Sequence, residues 1–219
     1  MTNKIKSIAI GILLALTGIF PIKNANAQVN ANLERINSFK QDCSYFRPNL
    51  SYNLPLEVKG FTFGEFYEKD KKDYLVKTSL DKEVYEDLGV KSQIVAGSNF
   101  DTKLGLGMSL NLPTPEKTSA KVYFLPVWKD KTGKNIENRS MLGYSASAQL
   151  PLEFKASTFG EINLNGKDGF EYAYGEIKLE KELLKGFFIS YNPALKNTGV
   201  GKLNPKLEQR ITAKYEFQK

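Results

Sequence analysis

The chain has 219 residues, 41% of them hydrophobic, with 31 Lys and Arg against 24 Asp and Glu and a formal net charge of +7. It contains no histidine and a single cysteine, so it lacks the commonest general base and metal ligand and has no intramolecular disulfide framework. Its charges alternate closely, as in Glu68-Lys-Asp-Lys-Lys-Asp73; without a concentrated basic face, nucleic-acid binding is not indicated.

At the N-terminus, Lys4 and Lys6 precede an apolar run from Ile8 to Phe20, followed by Pro21 and the small-residue ending Ala25-Asn26-Ala27. This layout predicts a secretory signal peptide over 1–27, cut before Gln28. The run is shorter than the ~20 apolar residues that a membrane-spanning helix needs. Loss of the leader removes Lys4, Lys6 and Lys23 and lowers the net charge from +7 to +4. No cysteine stands at the cleavage point, so a lipid anchor is not indicated. Over 28–44, Val29, Leu33, Ile36 and Phe39 fall at helical intervals and predict an N-terminal arm or short amphipathic helix. Cys43 reads either as a small buried side chain or as a free thiol.

From Tyr45 to Lys219 the hydrophobic pattern has period two, which predicts strands at 50–56, 61–68, 73–84, 90–97, 104–112, 121–128, 142–152, 158–164, 170–179, 186–192 and 208–217. A twelfth is suggested near 198–202. Polar or Gly- and Pro-bearing stretches predict turns at 70–72, 99–101, 113–118, 130–140 and 165–169. Two strands alternate plainly. Leu104, Leu106, Met108, Leu110 and Leu112 oppose Gly105, Gly107, Ser109 and Asn111, and Leu142, Tyr144, Ala146, Ala148, Leu150 and Leu152 oppose Gly143, Ser145, Ser147 and Gln149. Glycine weakens a strand and adds no packing, so the small polar face suits a confined, curved interior.

The block Leu54-Pro-Leu-Glu-Val-Lys-Gly-Phe-Thr-Phe-Gly-Glu65 returns as Leu150-Pro-Leu-Glu-Phe-Lys-Ala-Ser-Thr-Phe-Gly-Glu161, with nine of twelve positions identical. Leu80-Asp-Lys-Glu-Val84 is echoed by Leu179-Glu-Lys-Glu-Leu183. These echoes predict two sequence-similar halves, roughly 45–128 and 140–219.

An exported chain of alternating segments, short turns and many aromatic residues resembles the small porin-like β-barrels of the bacterial outer membrane. The last strand adds to this resemblance: Ile211, Ala213, Tyr215 and Phe217 alternate with Arg210, Thr212, Lys214 and Glu216, although Gln218 and Lys219 follow where such barrels usually end on an aromatic. The resemblance implies an all-β, antiparallel up-and-down barrel of about 10–12 strands over 45–219, located in the outer membrane and acting as a passive channel or structural barrel. Its partners would be outer-membrane lipid and small solutes or ions. Lipid-facing candidates are Leu104, Leu106, Met108, Leu110, Leu142, Tyr144, Leu150, Ile211, Tyr215 and Phe217. Candidates for the interior are Glu57, Lys59, Glu65, Glu153, Lys155, Glu161, Arg210 and Lys214. A turn within 151–157 would alter this register.

The alternative is a soluble exported β-sandwich or barrel that binds a ligand or protein partner, with its leucines turned inward. No cofactor or metal is implied. The barrel enzymes known in this membrane rely on histidine, so an enzyme is not expected.

Overall fold

The computed structural model describes residues 29–39, 44–68, 73–98, 100–129, 139–165, 169–197 and 205–217. The leader, Cys43, most of the expected turns at 70–72 and 130–140, and the suggested strand at 198–202 lie outside these residues. The strands are β1 (Val29–Ser38), β2 (Ser44–Leu54), β3 (Val58–Tyr67), β4 (Tyr74–Tyr85), β5 (Leu88–Gly97), β6 (Phe100–Leu112) and β7 (Thr118–Lys129). They continue as β8 (Arg139–Gln149), β9 (Phe154–Asn165), β10 (Gly169–Leu184), β11 (Phe187–Tyr191), β12 (Ala194–Asn197), β13 (Pro205–Glu208) and β14 (Arg210–Phe217).

All pairings are antiparallel, and β1 pairs with both β2 and β14, so the sheet closes on itself. β10 pairs with β11 along one stretch and with β12 along another, while β14 pairs with β11 and β13 with β12. Thus β11 and β12 form one strand interrupted at Asn192–Pro193, and β13 and β14 form one interrupted at Gln209. Counted this way, the molecule is a closed up-and-down barrel of 12 strands.

The alternation sets which side chains face the lumen. Leu104, Leu106, Met108, Leu110, Leu142, Leu150, Ile211, Tyr215 and Phe217 are exposed on the outside, and Tyr144 is half-buried there. On the inner face lie Gly105, Ser109, Gly143, Arg210, Thr212 and Lys214, all buried. The leucines therefore point away from the interior, the opposite of a soluble barrel with an apolar core. Two glycines have specific reasons. A Cβ on Gly107 would lie 1.9 Å from the Phe124 carbonyl oxygen, where the β6–β7 register shifts between Leu106 and Met108. A Cβ on Gly143 would lie 1.9 Å from Cζ of Tyr123, whose ring lies across that position.

Short turns cluster at one rim. In the β2–β3 turn, Leu56 and Glu57 have φ of 62° and 61°, and in the β8–β9 turn Leu152 and Glu153 have φ of 58° and 64°. Two successive left-handed residues form the tight mirror-image turn that matches strand twist and usually takes Asn-Gly. Leucine and glutamate in that conformation cost roughly 1–2 kcal/mol per residue. The two copies of the repeated block thus share an unusual turn, six strands apart around the barrel. β4 and β10 also share a device. Their registers shift between Glu83 and Tyr85 and between Glu182 and Leu184, bulges that turn Tyr85 and Leu184 to the outer face.

Two expectations are corrected. Residues 29–38 are neither an arm nor a helix but a strand of the barrel, which therefore begins before residue 45; Leu33 faces outward while Ile36 is buried inside opposite Tyr45, and apolar residues on both faces blur period two into a helix-like spacing. Glu57 and Glu153 do not continue the inward face of a strand: they occupy exposed turn corners, because the turn begins at Pro55 and Pro151.

Candidate channel lumen

Among the described residues, inward-facing charges gather into two clusters. The first spans β1–β3, β10 and β12–β14, across the place where the sheet closes. Arg47 donates from Nη2 to Glu65 Oε1 at 2.7 Å and from Nε at 3.2 Å. Its other neighbours are Glu176 at 3.6 Å and Glu34 at 3.7 Å. Arg210 donates to Glu208 at 2.9 Å and to Glu176 at 3.2 Å. The Tyr45 ring is 5.7 Å from each guanidinium carbon, and Phe63 lies 5.5 Å from that of Arg47. Guanidinium suits this place: its planar fork serves several carboxylates at once and stacks on rings.

The same cluster extends along the wall. Lys178 bridges Glu34 on β1 and Glu180 on its own strand, and Lys214 donates to Glu180 at 2.6 Å and Glu216 at 2.8 Å. Thr212 donates to Asn192 at 2.7 Å. Arg210 is wholly buried, and Arg47, Glu34, Glu176, Glu180 and Glu208 are buried with it. Such groups tolerate loss of water only because they satisfy one another.

The second cluster is built on β4, β5, β7 and β9. Glu161 Oε1 accepts from Lys77, from Gln93 at 3.1 Å and from the Tyr123 hydroxyl at 2.7 Å. Lys77 is on β4 and Glu161 on β9, strands that do not adjoin, so this ion pair crosses the lumen. Beside it, Lys121 donates to Asp81 at 2.9 Å, Lys91 lies 3.8 Å from the same carboxylate, and Lys91 Nζ sits 4.6 Å above the Tyr123 ring. Gly143 makes this arrangement possible by leaving room for Tyr123 to lie flat along the wall.

The candidates named from sequence fall in four places. Glu65, Arg210 and Lys214 join the first cluster, and Glu161 is the centre of the second. Lys59 sits at the turn rim, exposed, with Glu83 at 2.9 Å; Lys155 is also exposed there, opposite Gln149 and Glu180 in register. Glu57 and Glu153 lie in the turns. Sequence reasoning missed Arg47, Glu34, Glu176, Lys77, Gln93 and Tyr123. The signal for Arg47 was present, since Tyr45, Arg47 and Asn49 alternate with Phe46, Pro48 and Leu50, a polar–apolar alternation that marks Arg47 as inward.

No protein-family model matches the chain, and no curated protein does. Among solved structures, it is similar to the NanC porin, with a TM-score of 0.59 at 9% identity, covering 85% of this chain and all of that one. It is also similar to the KdgM porin, at TM-score 0.56 and 8% identity over 86% of this chain and 99% of that one. A second KdgM structure, in complex with disordered oligogalacturonate, matches at TM-score 0.56 and 9% identity over 86% and 99% of the two chains. At these identities the likeness is one of fold: a porin-type barrel.

Proposed function

We propose that the chain is exported to the outer membrane and acts there as a passive, non-enzymatic channel for small polar solutes or ions. The observation that carries this reading is the division of the barrel surface. Its outward leucines form an apolar band, and its inward face is lined by acidic and basic side chains. In water the band would remain exposed; in a bilayer it meets acyl chains, and a closed sheet leaves no unpaired strand edge there. The kinship of fold with NanC and KdgM supports the same conclusion.

Acids and bases alternate along the lumen, which supports weakly selective passage. The carboxylates of both clusters are committed to cations or hydrogen-bond donors, an arrangement that supports a structural and gating role over acid–base chemistry. The test is fractionation of the processed chain and a gel with and without boiling, followed by planar-bilayer recording. Resistance to carbonate extraction, heat-modifiable mobility and unitary conductance steps are expected. Release in the soluble fraction sinks the reading. Leu106→Arg is a sharper probe: a cation at mid-bilayer costs about 2–4 kcal/mol, measured by urea titration of folding into vesicles, whereas normal folding counts against lipid contact at this site.

A further inference from the structure

The four most exposed large apolar residues among those described are Leu56 and Leu152 at 78%, Leu184 at 72% and Tyr85 at 69%. All four lie at the turn rim, in four different hairpins. They form two pairs related by the sequence echoes, Leu56 with Leu152 and Tyr85 with Leu184. Each pair is presented by an unusual backbone. The leucine pair occupies left-handed turn corners that glycine or asparagine would fill more easily, and the other pair is turned outward by matching bulges in β4 and β10. A bulge re-aims a side chain, and both bulges aim an apolar one away from the lumen. The residues just before them, Val84 and Leu183, are exposed as well.

We propose that this crown is a lipid-binding surface, seated in the boundary between headgroups and acyl chains on the turn side of the barrel. The inference rests on the membrane-barrel reading above. What identifies lipid as the occupant is continuity. The crown prolongs the outward band through Leu54, Leu88, Leu112 and Leu150, with no polar ring between band and tips on β2 and β8. Glu57, Glu86 and Glu153, exposed beside the tips, place carboxylates at headgroup level. Apolar side chains next to charged ones are the composition of a segment lying in the interface plane.

The experiment places an environment-sensitive nitrobenzoxadiazole label on single cysteines in a Cys43→Ser background. The sites are Leu56→Cys, Tyr85→Cys, Leu152→Cys and Leu184→Cys, with Leu106→Cys in the band and Glu116→Cys in the β6–β7 turn as references. Vesicles carry a nitroxide either near the headgroup or near the acyl terminus. The four crown labels are expected to be blue-shifted and quenched at least twofold by the shallow nitroxide, with the label at 116 unaffected. Crown labels that behave like 116, while 106 is quenched by lipid, overturn the crown and leave the barrel reading standing. Lack of quenching at 106 overturns both. Crown labels shielded from aqueous iodide yet unquenched by lipid indicate a protein cover and also overturn the proposal. A turn-preserving variant, Leu56→Asn with Glu57→Gly and Leu152→Asn with Glu153→Gly, is expected to fold in detergent like the parent but insert into vesicles several-fold more slowly; unchanged insertion counts against the crown.

Discussion

Glu65 and Glu161 occupy the same position in the two copies of the repeated block, yet they anchor different kinds of wall. Glu65 takes a guanidinium from the adjoining strand β2 and a 2.7 Å hydrogen bond from Tyr67 two residues on. Glu161 takes an ammonium, an amide and a phenol from three strands, none of which adjoins β9. Around Glu65, Arg47 and Arg210 tie together five strands across the closure and leave almost nothing exposed. Around Glu161 the contacts reach over the lumen, and Lys77 and Glu161 keep 12% and 16% of their side-chain surfaces exposed. The same carboxylate thus lies within one wall in the first copy of the block and reaches across the lumen in the second. The choice is made by the cation that meets it.

This contrast can be broken by experiment. The largest effect belongs to Arg47→Met, which takes from Glu65 its guanidinium in a water-poor site and leaves Glu34 with Lys178 and Glu176 with Arg210. Loss of one partner of a buried ion pair costs about 3–5 kcal/mol, and urea titration of the reconstituted barrel is expected to show a loss of that order without a gain in conductance. Glu161→Gln comes next. It removes a charged acceptor, worth about 1.5–3 kcal/mol, and its signature is higher unitary conductance as Lys77 is released from its bridge across the lumen. Equal conductance in the two variants would dissolve the distinction between wall and bridge. Gly143→Ala sharpens it, because the new methyl group displaces Tyr123 from Glu161. Overpacking of this kind costs about 1–3 kcal/mol, and conductance is expected to shift in the direction of Glu161→Gln; parental behaviour in both assays counts against the role given to Tyr123. The smallest effect is at the rim. Lys59→Ala removes an exposed pair with Glu83 and should change stability by no more than about 0.2–1 kcal/mol, a result checked in the same titration.

The barrel was legible because period two is a direct image of inside and outside. Leu104 to Leu112 and Arg210 to Phe217 carry that image cleanly, and an alternation over so many segments has few other solutions. β1 was not legible. Its inward Ile36 lies opposite Tyr45 among the polar Asn32, Glu34 and Ser38 while Leu33 faces out, so apolar residues fall on both faces and blur the alternation. Turn corners were misread for a different reason: Leu-Glu is not a residue pair that calls for left-handed backbone, and Glu57 and Glu153 were therefore assigned to the strand that follows. Among the lumen residues, Glu65, Glu161, Arg210 and Lys214 followed from repeat and alternation. Lys77, Gln93 and Tyr123 did not, since their partner lies 84, 68 and 38 residues away and no local pattern encodes a contact across a barrel.

The closure itself has a kinetic consequence. Among the described pairings, every neighbouring pair joins strands close in sequence except β1 with β14, where Ala31 meets Phe217. Hairpins can therefore form early, and one step is left to bear the entropy of bringing distant segments together. The links from Lys178 to Glu34 and from Arg47 to Glu176 span that junction. They hold the last two edges shut from within, so the arginine-rich wall acts as a clasp: its removal should hasten unfolding more than it slows the growth of the sheet.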